Sequence, residues 1–422
     1  MSASRIRRRV FRRALTITLL VALGVGVMPP ATPARAATFL VTNTSNTGAG
    51  SLRQAILDAN LTPAADEITF NISGGGPRTI AVPAALPPNT QPVTINGWSQ
   101  AGPGYTGPTL IELAGPGNAA FLSGLVITAG NSAVRGLVIN SFNDHAIRLE
   151  TNGSNMIQGN HIGTNVSGTA ARRNGTGVGV LSGSANLIGG TSSSERNVIA
   201  GNGYAIQISG PAAGNQVVGN YIGTDPTGTI ALASDVTLSF ETGVLTYRSG
   251  QNTIGGATGG AGNLIAGVGR GVSINGGFTP AEDAPNNQVL GNRFGTDVTG
   301  TCPLEIQDQA IYSQYATGTV VGGPAVGAGN IIAASRMGVE FLADQGQAVL
   351  IQGNRIGVGA DALASTGVGA RATVDPLCAA RLANRPRSSG STSAAATPGN
   401  GSTCQRRRRS VTEVGVPISH WR

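Results

Sequence analysis

The string GNYIGTDPTGT at Gly219–Thr229 returns as GNRFGTDVTGT at Gly291–Thr301 and stands earlier as GNHIGTNVSGT at Gly159–Thr169, with a degraded copy from Gly353. Between the copies runs a second phrase: NLIGG at Asn186, NTIGG at Asn252 and TVVGG at Thr319. Each is followed by NVIAGN at Asn197, NLIAGV at Asn263 or NIIAAS at Asn330. The period is about 66 residues, and self-similarity at a fixed period marks a solenoid. Repetition also sorts residues. Those that recur in every copy belong to the scaffold, and the exceptions are the candidates for chemistry.

Each unit divides into two turns of three short strands. One turn runs from Gly177 through Asn186 to Asn197, and the next from Ala205 through Asn215 to Tyr221. Strands of three to five residues, rich in Val and Ile and punctuated by Gly and Asn, cannot bury a face alone. Stacked in parallel they enclose a continuous apolar interior, which predicts an all-β, parallel β-helix. Seven turns are countable from Ala146 to about residue 360, with two more expected before them. The recurring Asn at strand starts (Asn186, Asn215, Asn252) suits a bend that tolerates left-handed backbone, and stacked copies predict amide ladders.

Composition agrees with this reading. The chain carries 64 Gly among 422 residues and only 11% charged residues, against about a quarter in ordinary domains. All the basic residues are Arg, and they crowd the ends. Residues 37–369 hold 12 Arg against 18 acids, a net of −6, despite the formal +8 of the whole chain. A basic stripe for nucleic acid is therefore not expected in the body.

Residues 1–36 read as an export signal. Six Arg between Arg5 and Arg13 precede the apolar stretch Ala14–Val27, and Ala34-Arg35-Ala36 gives a small-x-small cleavage site. Arg8-Arg9-Val10-Phe11 also resembles a twin-arginine motif, so two export routes fit. Cleavage after Ala36 places the mature chain outside the cytoplasm, secreted or at the cell surface, with no transmembrane span. From residue 370 the repeats stop, and a tail containing Cys378, Cys404 and the run Arg406–Arg409 reads either as disordered or as out of frame. Cys378 and Cys404 are expected to pair with each other if at all, leaving Cys302 single.

The one good helix pattern lies outside the repeats. Ser51–Asn60 puts Leu52, Ala55, Ile56 and Ala59 on one face, and Ser51 with Gln54 forms a capping-box pattern. Residues 37–92 are expected to be a cap over the apolar end of a β-helix spanning 93–369, since an open end exposes unpaired strand edge.

VTNTSNTGAGSLRQAILDAN followed by ADEITFNI resembles the N-terminal motif of bacterial extracellular proteins with a Ser-Leu-Arg-(Glu/Gln)-Ala sequence. QPVTINGWSQAGPGY and the GNYIGTDPTGT and NTIGG phrases resemble the right-handed parallel β-helix repeats that follow it in those proteins. The resemblance implies the pectin-lyase-like fold and export, and no established activity. The paired-Asp and Gly-His-Gly motifs of polygalacturonases and the Asp-Pro-His-Asp motif of alginate epimerases are absent.

Candidate chemistry is sparse. Asn165, Asp225 and Asp297 each begin an Asx-x-x-Gly turn, and the exchange of Asp for Asn argues for hydrogen bonding rather than charge. One carboxylate per loop falls far short of the six to eight oxygens that Ca2+ takes, so no metal or other cofactor is expected. Strand alternation lists an outward row: Arg148, Gly179, Gln207, Leu245, Ser273, Tyr312 and Glu340, with Glu150 also outward beside Arg148. Glu150 and Glu340 are then about six strand spacings apart, roughly 29 Å, too far for a glycosidase pair. The unique segment Asn143-Asp144-His145, followed by Arg148 and Glu150, is the one catalytic candidate, although the parity of His145 with Ile147 and Leu149 points its ring inward. His161, which takes the place of Tyr221 and Arg293, is expected to be an exposed, variable position. Two functions compete: a non-catalytic surface for extracellular polysaccharide or cell-surface glycans, through Arg148, Gln207, Tyr312 and Glu340; and a polysaccharide lyase, hydrolase or epimerase acting through Asp144, His145, Arg148 and Glu150.

Overall fold

The computed structural model describes residues 35–105, 107–232, 241–277, 279, 282–342 and 349–357. The expected export signal lies almost wholly outside them, and the tail from residue 370 lies entirely outside.

Three sheets of eleven, ten and eight strands run the length of the described chain, and every named pair is parallel. Successive turns give one strand to each sheet: Thr176–Val180 to the eight-stranded sheet, Leu187–Gly189 to the eleven-stranded and Val198–Ile199 to the ten-stranded. This is the parallel β-helix, and right-handed crossover is the sense that parallel connections almost always take. Stacking begins earlier than the repeats imply. Thr38–Val41, Asp66–Phe70, Val93–Asn96 and Ala133–Arg135 already pair in order on the eleven-stranded sheet. Residues 37–92 thus supply the first rungs of the coil as well as the helix.

Aliphatic columns fill the interior. Ile147, Val178, Ile206, Val244, Val272 and Ile311 follow one another in register and are fully buried. Each such side chain contributes about 1.5–3 kcal/mol relative to an exposed one, so stability accrues turn by turn.

The amide ladders form at two corners. In one, Asn155, Asn186, Asn215 and Asn252 each donate from Nδ2 to Oδ1 of the next, ending on Asn287, at 2.8–3.0 Å. In the other, Asn160, Asn197, Asn220, Asn263, Asn292 and Asn330 do the same, ending on Asn354. The left-handed backbone expected at the first ladder falls one residue earlier, at Ala185, Gly214 and Gln251. The Asn itself keeps ordinary backbone, and its amide satisfies the corner's orphan groups.

The helix spans Leu52–Ala59 with Leu52, Ala55, Ile56 and Ala59 buried against the first strands. Only half of the capping box forms. Ser51 Oγ accepts from the Gln54 N–H at 3.2 Å, but the Gln54 amide donates to Asp58 at 2.8 Å. The Ser51 N–H is already committed to the Gly48 carbonyl. Cys302 is disulfide-bonded, which corrects the expectation of a lone thiol; its partner lies outside the described residues.

Candidate functional site

On the outer face of the eight-stranded sheet, Arg148, Gly179, Gln207, Leu245, Ser273, Tyr312 and Glu340 occupy one unbroken register. A parallel row, one pleat on, carries Ser209, Tyr247, Asn275 and Gln314. Tyr204 and Tyr247 are exposed. The face is a polar track set with aromatic rings along the axis of the coil.

At its start Asp144, His145, Arg148 and Glu150 come together. His145 Nδ1 lies 2.7 Å from Asp144 Oδ1, Arg148 Nη1 3.5 Å from Asp144 Oδ2, and Arg148 Nη2 2.5 Å from Glu150 Oε1. Ser123 Oγ donates to Asp144 Oδ2 at 2.6 Å. Both carboxylates touch one guanidinium, which keeps them inside the roughly 5–10 Å of a glycosidase pair.

His145 does not point into the core. Its ring covers Gly179, where an added Cβ would fall 2.2 Å from His145 Cδ2, on the outer side of a strand whose Val178 and Val180 point in. Parity fails because the residue sits where the chain rounds the corner into the strand. Neither ring nitrogen has an aligned hydrogen-bond partner and both are shielded from solvent. Burial lowers the His145 pKa, against the opposing pull of Asp144. The cluster therefore holds a covered imidazole and a guanidinium shared between two carboxylates. A uronate would have to compete with Asp144 and Glu150 for the Arg148 guanidinium.

At the far end the row runs into a second network. The Arg270 guanidinium lies 4.5 Å from the centroid of the Tyr312 ring. Its Nε donates to Gln309 Oε1 at 2.7 Å, and Gln309 Nε2 donates to Glu340 Oε2 at 2.5 Å. Arg270 also reaches Asp308 at 3.5 Å. Burial raises the Tyr312 pKa, partly offset by Arg270. Tyr312 and Glu340 were readable from alternation. Gln309 and Asp308 were not, because the register slips between Ile306 and Gln309.

The repeated turns spend their oxygens locally. Asp225 Oδ1 accepts from the N–H groups of Thr229 and Ile230, Asp297 Oδ1 from Thr301 and Cys302, and Asn165 Oδ1 from Thr169 and Ala170. In all three the fourth-residue Gly donates to the Asx carbonyl at 2.9 Å. Among the described residues no three His, Cys, Asp or Glu gather to hold a metal ion, and no helix is long and apolar enough to cross a membrane. His161 is half-buried rather than exposed, and burial pushes it down to about 4.

No family model and no curated protein matches the chain. Among solved structures it is similar to an alginate lyase from Paenibacillus sp. str. FPU-7, at 15% identity and TM-score 0.33, over 76% of this chain and 99% of that one. It is also similar to pectate lyase Pel9A, at 13% identity and TM-score 0.38, over 74% of this chain and 80% of that one. Likenesses this distant carry no residue and no reaction across.

Proposed function

We propose that this chain is a secreted or surface-held bacterial β-helix, allied to the Ser-Leu-Arg-(Glu/Gln)-Ala proteins, that binds glycans without cleaving them. The observation that carries the reading is the state of the Asp144–Glu150 cluster: its imidazole is covered and its guanidinium is shared between two carboxylates. A lyase needs a reachable base and a positive group for the substrate carboxylate; here the imidazole is covered and the guanidinium is already paired with Asp144 and Glu150. The track of Gln207, Tyr247, Tyr312 and Gln314 offers what a polyhydroxyl chain uses, namely aromatic faces and amide donors and acceptors in repeating order. A glycan array probed with the secreted protein tests this. Binding to at least one polysaccharide, reduced tenfold or more in Gln207→Ala/Tyr312→Ala, is the expected result; binding indifferent to both substitutions would remove the track from the account.

One observation favours the enzymatic reading. The Asp144–Glu150 segment occurs in no other turn, and it brings two carboxylates, an imidazole and a guanidinium together. In that reading a substrate must first part Arg148 from its carboxylates.

A further inference from the structure

We propose a separate site for one neutral hexose unit on the outer face of the eleven-stranded sheet, between Trp98 and Tyr105. It shares with the glycan-binding reading only the class of ligand, and it uses a different sheet and different residues.

A cleft of about 710 Å³ opens there, within the range of small-ligand sites. Its floor is a row of outward residues in register, Leu40, Thr69, Asn96 and Arg135. Glu67 reaches into the row, accepting from Asn96 Nδ2 at 2.8 Å and lying 3.5 Å from Arg135 Nη2. The Glu67 and Arg135 side chains are 37% and 41% exposed, so both heads remain open to a ligand. An exposed pair of this kind is worth little in itself and yields readily to hydroxyl groups.

The walls are aromatic and held in place. Trp98 lies on the bare backbone of two later turns: a Cβ on Gly136 would fall 2.6 Å from its ring and one on Gly159 2.2 Å. The five-residue 3-10 helix Gly97–Ala101 that carries it is pinned to the strand below. Ser99 Oγ accepts from the Phe70 N–H at 2.7 Å, and the Gln100 amide both accepts from and donates to Ile72. Across the cleft, the Tyr105 hydroxyl donates to the Pro108 carbonyl at 3.0 Å, and its ring rests against Gly107.

This combination selects its ligand. Rigid rings offer stacking surface at low entropic cost, which suits the C–H face of a pyranose. The floor supplies an acceptor in Glu67 and donors in Asn96 and Arg135, the mixture that hydroxyl groups match. Among the described residues lining the cleft, Glu67 and Arg135 are the only charged ones, and they cancel. A neutral sugar fits that balance, whereas a uronate brings uncompensated charge against Glu67.

The chain's two tryptophans are Trp98 and Trp421, so Trp421→Phe in the full chain makes Trp98 the sole reporter. Its fluorescence is titrated with cellotetraose, maltotetraose, mannotetraose and tetragalacturonate. A saturable blue shift or quench with at least one neutral tetrasaccharide is expected, at least tenfold stronger in affinity than any response to tetragalacturonate. Tyr105→Ala and Arg135→Ala each weaken it tenfold or more while far-UV circular dichroism and melting temperature stay unchanged. Gln207→Ala/Tyr312→Ala, which tests the other sheet, leaves it intact. No saturable response to any neutral sugar overturns the proposal. So does a response that survives both pocket substitutions, or one abolished by the Gln207/Tyr312 pair.

Discussion

The ring of His145 occupies the space that Gly179, one strand further along the same sheet, leaves open: a Cβ built on Gly179 would lie 2.2 Å from His145 Cδ2 and 2.6 Å from Nε2. Gly179→Ala therefore drives the ring out of its seat. The expected loss is about 1–3 kcal/mol, typical of an overpacked site, visible as a lower melting temperature. Imidazole proton NMR should also show the His145 pKa rising toward its ordinary value, since burial is the main cause of its depression. An unchanged His145 titration would contradict this placement.

His161 makes stability depend on acidity. Burial pushes its folded pKa down to about 4 from 6.5, so between those values the unfolded chain binds the extra proton. The contribution is complete above about pH 6.5 and is lost progressively as pH falls toward 4. Tyr221 stands at the equivalent place two strands on, which makes His161→Tyr the natural replacement. Melting temperature should fall more steeply from pH 7 to 4 in the wild type than in His161→Tyr, and equal slopes would refute the assignment.

The ladder through Asn263 predicts a position-dependent cost. Asn263 Oδ1 accepts from both the N–H and the Nδ2 of Asn220, at 2.9 and 3.0 Å, in a fully buried corner. Asn263→Ala leaves those donors unmet, for about 1–3 kcal/mol. Asn354→Ala, at the partly exposed end of the same ladder, should cost less than half as much. Equilibrium denaturation of the two variants makes the comparison.

The Asx turns predict which atom matters. Asp225→Asn keeps the acceptor that Thr229 and Ile230 use and should change stability by less than about 0.5 kcal/mol, whereas Asp225→Ala removes a capping acceptor worth about 1 kcal/mol. Thermal melts with excess Ca2+ and with chelator should coincide. A calcium-dependent shift would return these loops to the list of metal sites.

The coil was legible because its code is short-range and repeated. Two-residue alternation placed Gln207, Tyr312 and Glu340 in one row, and the recurring Asn announced the ladders. Local geometry was not legible where the period breaks. His145 turns outward at a corner, where alternation has not yet taken hold. Gln309 enters the Arg270–Glu340 network across a register slip. Trp98 and Tyr105 stand ahead of the repeats, and only the folded coil brings Gly136 and Gly159 beneath the indole. The inward or outward sense of a single residue depends on what its neighbours omit, as Gly179 omits a side chain, and one turn's sequence does not contain that.

The most direct test of a glycan-binding, non-cleaving β-helix is a long incubation of the secreted protein with each polysaccharide that it binds, following both unsaturated uronate ends and new reducing ends. The account predicts bound, intact polymer and a flat time course, the same for wild type and for Asp144→Asn/Glu150→Gln. Steady release of unsaturated or reducing ends by the wild type, abolished in that double variant, would contradict it and make the Asp144–Glu150 cluster an active site.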